Sequence, residues 1–316
     1  MQKIKLRIIV PIFNEQDVLH HFHQRVRAVL DSLDKVDGTI LYVLDKSTDE
    51  SLAVLTDIVA KDQCTEVLSM SSRFGHQMAL IAGIENSLDA DAIIMMDGDL
   101  QHPPELIPEL LSEHEKGFDV VYTVRTDTEK IGFIRKLIGK AFYALLGRIS
   151  NVPINANAAD FRLISARVAR VIGNNVKEQN VFLRGLFSWV GFKQSRVNYI
   201  AEQRAAGESK YSFQRMMQLA LAGILSFSTR PLRLGMILGL IFAVLALVLL
   251  IFTILSYFME SSIPSGWTTI VVLLLFFNAL QLFVIGIIGV YVGAIYDETK
   301  ARPRYIVEEV LTNNDK

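Results

Sequence analysis

Ile93-Ile94-Met95-Met96-Asp97-Gly98-Asp99-Leu100-Gln101-His102-Pro103-Pro104-Glu105 is the stretch on which the reading of this chain depends. Four apolar residues in a row, after Asp91 and Ala92, have the character of a strand buried inside a parallel sheet. Two carboxylates one residue apart follow at its carboxyl end, where open α/β sheets hold their ligands. Gly98 permits a sharp turn, and Pro103-Pro104 with Glu105 suits the start of a helix. Asp97, Asp99 and the amide oxygen of Gln101 therefore make a candidate set of hard oxygen ligands for Mg²⁺ or Mn²⁺. Such ions take one or two carboxylates and complete their shell with phosphate oxygens and water.

Working outward, Ile4 to Ile12 reads as a first strand and Glu15 to Leu33 as a helix, with Val18, Leu19, Phe22, Val26, Val29 and Leu30 on one face. His20, His21 and His23 lie in that helix at spacings that do not favour a chelate, so they read as helix surface. Ile40 to Leu44 is a second strand. It leads into Asp45-Lys46-Ser47-Thr48-Asp49, where Ser47 or Thr48 is placed to cap a helix running to Ala60. A third strand lies around Val67 to Met70, and a helix follows His76. A helix from Pro104 to Lys116 and a fifth strand from Asp119 to Arg125 complete the alternation. This pattern predicts an α/β fold with a doubly wound, mostly parallel sheet. With neither G-x-G-x-x-G after the first strand nor G-x-x-x-x-G-K-[ST], dinucleotide and P-loop sites are not supported.

The 316 residues carry a formal charge of −1, which speaks against a nucleic-acid partner. The lone Cys64 excludes a disulfide framework and fits a reducing compartment, and the charged N-terminus is not a signal peptide. Hydrophobic residues make up 51% of the chain, the excess lying towards the C-terminus. Ile131 to Ile149, with Arg135, Lys136, Lys140 and Arg148, reads as an amphipathic helix that suits a soluble core or a membrane surface equally. Arg204 to Ser212 reads as a mobile loop, and Phe213 to Thr229 as a segment lying along a membrane.

Gly235 to Phe258 and Ile270 to Ile295 are uncharged, and at about 1.5 Å per residue each exceeds a hydrocarbon core of ~30 Å. Both are expected to be transmembrane helices. Arg230 and Arg233 precede the first; Lys300, Arg302 and Arg304 follow the second; the link between them carries only Glu260. The positive-inside rule then puts the N-terminal domain and the C-terminal tail in the cytoplasm. Tyr257, Trp267 and Tyr296 fall where interfacial anchors belong, and Asn278 and Gln281 are expected to face protein. Gly286, Gly289 and Gly293 offer a close-packing face to the first span or to another subunit of a homo-oligomer. The expected layout is an N-terminal α/β domain over 1–210, an interface segment over 211–231, two spans over 232–296 and a tail over 297–316.

Six stretches appear in one order: Pro11-Ile12-Phe13-Asn14-Glu15, Asp45-Lys46-Ser47-Thr48-Asp49, Arg73-Phe74-Gly75, Asp97 to Glu105, Asp160-Phe161-Arg162 and Gly207-Glu208-Ser209-Lys210-Tyr211. Together with the two apolar runs they resemble the family 2, GT-A-fold polyprenyl-phosphate glycosyltransferases from about Leu6 to Tyr305. The likeness is nearest to the bactoprenol glucosyltransferases of O-antigen and lipopolysaccharide modification, and more distant to dolichol-phosphate mannose synthases. The resemblance implies transfer of a hexose from a nucleotide sugar, glucose from UDP-glucose first, to undecaprenyl phosphate with inversion, at the cytoplasmic face of a bacterial inner membrane. GDP-mannose, UDP-N-acetylhexosamine and UDP-aminoarabinose are alternative donors, and a non-catalytic membrane scaffold is an alternative role. A processive synthase lacks support because the Q-x-x-R-W signature is absent.

The same resemblance assigns Pro11, Phe13, Glu15, Asp45 and Asp97 to the nucleotide, Asp97, Asp99 and Gln101 to the metal, and Asp160 to the catalytic base. A phosphate monoester has its second pKa near ~6, so the acceptor needs little deprotonation, and Asp160 is open to a positioning role. Bringing two anions together requires cations. Arg125, Arg162, Arg184, Arg204 and Lys210, with Ser209 and Tyr211, are the candidates for the acceptor phosphate. Lys46 stands where the family usually has Gly, Leu44 where a second acid is common, and His102 where Asp is frequent. Asn is missing between Arg73 and Phe74, and Asn157-Ala158-Ala159 replaces Gly before Asp160. Lys46 is expected to pair with Asp45 or with a diphosphate.

Overall fold

A computed structural model describes residues 3–126, 158–179, 181–200, 230–259 and 266–313. The expected helix over 131–149 and the expected interface segment over 213–229 lie outside these residues, as do Arg204, Ser209, Lys210 and Tyr211.

The first half alternates as its apolar spacing predicts. It runs β1 (Ile4–Ile12), α1 (Leu19–Asp31), β2 (Val36–Leu44), α2 (Ser51–Lys61), β3 (Thr65–Met70), α3 (His76–Glu85) and β4 (Ala92–Met95). A short 3₁₀ turn at Pro104–Leu106, α4 (Ile107–Glu115) and β5 (Val120–Arg125) come next. After the undescribed stretch come β6 (Ala158–Ser165), α5 (Ala166–Asn175), α6 (Leu183–Trp189) and β7 (Gln194–Tyr199). These form one sheet of order β7-β5-β6-β4-β1-β2-β3-β8, β8 being Val307–Leu311. The pairs β1–β2, β1–β4, β2–β3 and β5–β7 are parallel, whereas β6 and β8 run against their neighbours. The fold is thus α/β and GT-A-like, with a mostly parallel central sheet.

Period-two alternation sorts each central strand between two cores. Leu6, Ile8, Val10 and Ile12 of β1 pack with Phe22, Val26 and Leu55 beneath α1 and α2. Ile9 points the other way, into a core with Ile81, Ile84, Val168 and Ile172 from α3 and α5. At Gly83 a Cβ would come within 2.3 Å of Ile9 Cγ2, so α3 lies against β1 at a distance only glycine allows.

Two sequence expectations are corrected here. The first helix starts at Leu19 and not at Glu15, because Asn14 takes a left-handed φ of 54° and the turn is tied to the next loop. Ser47 accepts from the Asn14 N–H (3.1 Å), Ser51 from that of Glu15 (3.1 Å), and Asp49 from that of Gln16 (3.2 Å). Ser47 and Thr48, engaged with Asn14, therefore do not cap α2. It begins at Ser51, whose N–H donates to Asp49 (3.1 Å). The histidine trio behaves as expected of a helix surface. His20 and His21 are exposed, while His23 meets Tyr42 (3.1 Å) and Asp62 (3.4 Å).

Two long helices follow, α7 (Arg230–Met259, 30 residues) and α8 (Trp267–Thr299, 33 residues). They pack antiparallel, with the Phe242 ring 5.4 Å from that of Phe276 and Gly235 against Val284. Within α8, Phe276–Thr299 has a mean hydropathy of 2.1 and an unburied surface, enough in length and composition to cross a membrane. The apolar stretch found in α7, Gly235–Val248, is shorter.

The chain then returns to the sheet. Arg304 Nη2 meets Glu85 (2.6 Å) at the end of α3, Gln179 N–H donates to Glu298 (2.7 Å), and β8 pairs antiparallel with β3.

Candidate active site

Parallel strands share one carboxyl edge, and in this sheet the edge gathers the chemistry. Ile12 pairs with Leu44 in register, so the residues that follow β1 and β2 leave side by side. Ile9 pairs with Met95, which brings Asp97 and Asp99 beside them. The antiparallel strand β6 delivers its start to that same edge. Met95 pairs with Arg162, and continuing the register by two residues sets Asp160 opposite Asp97. Arg125, at the end of β5, pairs with Tyr199 of β7 on the same edge.

The Asp45 carboxylate, almost fully buried, accepts from the backbone N–H groups of Phe74 (2.7 Å) and Gly75 (2.9 Å). These bonds fasten the end of β2 to the turn that opens α3, where Gly75 adopts φ 90°. The Arg73 guanidinium lies 4.0 Å over the Phe13 ring. Lys46 is turned away from Asp45 and pairs with Glu308 of β8 (2.7 Å), which corrects that part of the expectation for it. Leu44 sits in the core.

Across the edge, Asp99 is buried and its Oδ1 accepts the Gln101 N–H (3.1 Å), while Leu100 takes a φ of 64°. His102 is buried too. Its Nδ1 accepts the Asp97 N–H (3.0 Å), and its ring stacks on Phe161 (5.2 Å) and meets the edge of Tyr199 (5.9 Å). His102 thus fixes the Asp97 backbone from inside. Gly98 belongs to the same packing, since a Cβ there would fall 2.8 Å from Ile12 Cδ1.

The third group surrounds Asp160. Arg184 of α6 forks onto it, with Nε 2.9 Å from Oδ1 and Nη2 3.1 Å from Oδ2. Arg162 Nη2 lies 3.7 Å from Oδ1; its guanidinium is buried, donates to the Ala159 carbonyl (2.8 Å) and rests 4.5 Å over the Phe187 ring. His76, the first residue of α3, bridges the two halves of the site. Its Nε2 is 3.7 Å from Asp97 Oδ1 and 3.6 Å from Asp160 Oδ2, and 41% of its side chain is exposed. Partial burial opposes a charge on that ring, but Asp160 and Asp97 outweigh it and raise its pKa to about 9. Burial pushes the Asp160 carboxyl up, yet Arg184 and His76 win and hold it well below the usual range. Burial raises Tyr199 to about 12, with the charges of Arg125, Asp97, Asp99 and Arg184 all acting on it.

The structure therefore brings Pro11, Phe13, Glu15, Asp45, Asp97, Asp99, Gln101, Arg125, Asp160, Arg162 and Arg184 to a single sheet edge. Sequence reasoning passed over His76. The available signal was its place after the third parallel strand, which by the edge rule faces the same crevice as Asp45 and Asp97.

The donor set can be weighed against a divalent ion. Among the described residues no group of three or more His, Cys, Asp or Glu side chains is gathered as a metal site. Two neighbouring carboxylates, Asp97 with its side chain 34% exposed and Asp99, fit the lean protein contribution that Mg²⁺ or Mn²⁺ takes beside substrate phosphates.

Comparison with known proteins agrees with this geometry. An uncharacterized glycosyltransferase of Bacillus subtilis (YkcC) is 39% identical over 97% of this chain and 94% of its own. A prophage bactoprenol glucosyl transferase homolog of Escherichia coli K12 is 36% identical over 97% and 99%, respectively. The bactoprenol glucosyl transferase of Shigella phage SfX is 35% identical over 96% and 99%. The model of glycosyl transferase family 2 matches residues 7–173, the span from β1 into α5 that builds most of this edge. The chain belongs to glycosyl transferase family 2.

Proposed function

We propose that this glycosyltransferase moves a hexose, glucose from UDP-glucose first, onto undecaprenyl phosphate, with inversion at the anomeric carbon. One observation carries the reading: Asp97, two residues from the buried Asp99, faces an arginine-lined carboxylate, Asp160, across His76. The first half suits a metal-bound diphosphate and the second an anionic acceptor. The names of the two bactoprenol relatives support that acceptor.

In this reading Pro11, Phe13, Glu15 and Asp45 form the nucleoside side of the crevice, and Asp45 holds the Arg73–His76 turn in place. Asp97 and Asp99, with Gln101, would hold Mg²⁺ or Mn²⁺, which supplies charge neutralisation on the departing diphosphate. Arg125, Arg162 and Arg184 line the acceptor side, and Arg204, Ser209, Lys210 and Tyr211, which lie outside the described residues, would act as a further clamp on its phosphate. The two long helices would both span a bacterial inner membrane, with the catalytic domain (1–210) and the tail in the cytoplasm and residues 211–231 along the interface. The open face of Gly286, Gly289 and Gly293, where an added Cβ meets nothing within 4 Å, suits packing in a homo-oligomer.

The test is transfer of label from a panel of nucleotide sugars into the lipid phase, using purified full-length protein and undecaprenyl phosphate. UDP-glucose should give a single-sugar lipid product and free UDP. Release of UDP without lipid labelling, or no turnover with any donor, overturns the proposal.

A further inference from the structure

We propose that Asp160 is a positioning residue, whose carboxylate holds Arg184 and His76 as donors for the acceptor phosphate and takes no proton itself. This deepens the reading above and rests on it for the identity of the acceptor.

The geometry carries the inference. A general base must aim a lone pair at the proton it removes, within hydrogen-bond reach. Both oxygens of Asp160 already face donors of the protein. Oδ1 lies against Arg184 Nε (2.9 Å) and Arg162 Nη2 (3.7 Å). Oδ2 lies against Arg184 Nη2 (3.1 Å) and His76 Nε2 (3.6 Å). A two-point fork from arginine is the arrangement that fixes a guanidinium's plane and direction. Arg162 adds charge from beneath, buried against Phe187. One carboxylate therefore organises two guanidiniums beside the place where an anion would dock. His76, part-exposed and between Asp160 and Asp97, stands where the two substrates would meet.

The chemistry asks for no base. The acceptor is a phosphate monoester, largely dianionic at neutral pH because its second pKa is near ~6. One of its oxygens forms the bond to the anomeric carbon. The bond from that carbon to the diphosphate oxygen breaks, and its electron pair leaves with the nucleoside diphosphate. No proton changes hands, so a carboxylate that orients cations is more use than one that accepts a proton.

The experiment compares Asp160→Asn, Arg184→Lys and His76→Gln in full-length protein. It measures steady-state transfer with undecaprenyl phosphate varied. It also measures binding of a short-chain prenyl phosphate, without nucleotide, and of UDP-glucose with Mn²⁺. Each variant should raise the acceptor KM and weaken prenyl phosphate binding by about tenfold, and Asp160→Asn and Arg184→Lys should leave donor affinity within about twofold of wild type. Asp160→Asn should lower kcat by less than about tenfold, because the Asn oxygen still accepts from Arg184. A kcat loss of about a hundredfold or more in Asp160→Asn, at unchanged acceptor affinity, is the mark of a base and overturns the inference. Unchanged prenyl phosphate affinity in Arg184→Lys or His76→Gln, both with Asp160 intact, overturns it too, even if Asp160→Asn does not fold. Wild-type protein that binds no prenyl phosphate refutes the acceptor assignment itself, a separate failure.

Discussion

Asp45→Asn tests how the nucleoside side of the crevice is fastened to the rest. The wild-type carboxylate accepts two backbone N–H groups, from Phe74 at 2.7 Å and Gly75 at 2.9 Å, and is almost fully buried. An Asn side chain of the same shape keeps one accepting oxygen and points an NH₂ group at the other backbone donor. One hydrogen bond to a charged group is lost, worth about 1.5–3 kcal/mol, and a buried N–H is left facing another donor. The turn should therefore be loosened by about 3 kcal/mol. Hydrogen exchange read by mass spectrometry on the peptide covering Arg73 to His76 measures this directly. Because 1.4 kcal/mol is a factor of ten, exchange there should rise by roughly a hundredfold. Amides deep in β1 and β4 should change far less, since the loss is local. Exchange at Phe74 and Gly75 within about threefold of wild type would show that the carboxylate does not hold the turn, and the reasoning fails.

Gly83→Ala should destabilise the folded protein by about 2–3 kcal/mol in urea unfolding, because its Cβ would fall 2.3 Å from Cγ2 of a wholly buried Ile9 on a central strand. Asp99→Ala should nearly abolish sugar transfer, and EDTA should silence the wild type until Mn²⁺ or Mg²⁺ is restored; undiminished transfer in EDTA removes the metal role. Asp119 is held below the usual carboxylate range, first by its hydrogen bonds from Arg167 and also by Ser165. A depressed folded pKa contributes stability that is complete above about pH 4 and lost as the pH falls through the folded value. The stability gap between wild type and Asp119→Asn should therefore narrow as the pH falls below about 4. Arg304→Ala removes the partner of Glu85, although Lys177 still reaches that carboxylate (3.0 Å). It should cost about 2 kcal/mol and expose β8 to limited proteolysis, and a tail as resistant as wild type counts against the contact.

Much of the edge was legible because its logic is local. Apolar runs followed by Glu15, Asp45 and Asp97 announce strands whose carboxyl ends share one side, and the parallel register delivers them there. Asp160 was legible only through resemblance. Nothing in Ala158-Ala159-Asp160-Phe161-Arg162 says that it enters the sheet antiparallel between β4 and β5, a pairing made across long sequence separation. The partners of Lys46 and Glu85 were invisible for the same reason, since Glu308 and Arg304 lie over 200 residues away. The start of α1 was missed because Asn14 bonds to Ser47 and Thr48 and the Gln16 N–H donates to Asp49, and propensity alone does not register such loop-to-loop competition.

The helix α3 shows why these long-range pairs bear on function. Its first residue, His76, stands between Asp97 and Asp160, and its last, Glu85, receives Arg304 from the segment that follows α8. Ten residues of α-helix make a strut of about 15 Å, and a strut transmits position only if it cannot slide. Three features prevent sliding: the contact at Gly83 with Ile9, the Asp45 carboxylate on the preceding turn, and Gln77, whose Oε1 accepts the Leu183 N–H (3.1 Å) beside Arg184. The distance from Glu85, where Arg304 docks, to the site is thereby fixed by packing and hydrogen bonds. For an enzyme whose acceptor would be a phosphate attached to a membrane lipid, that distance decides whether the nucleophile reaches the sugar. A lengthened or slackened connection would then lower turnover with lipid acceptors while sparing donor binding.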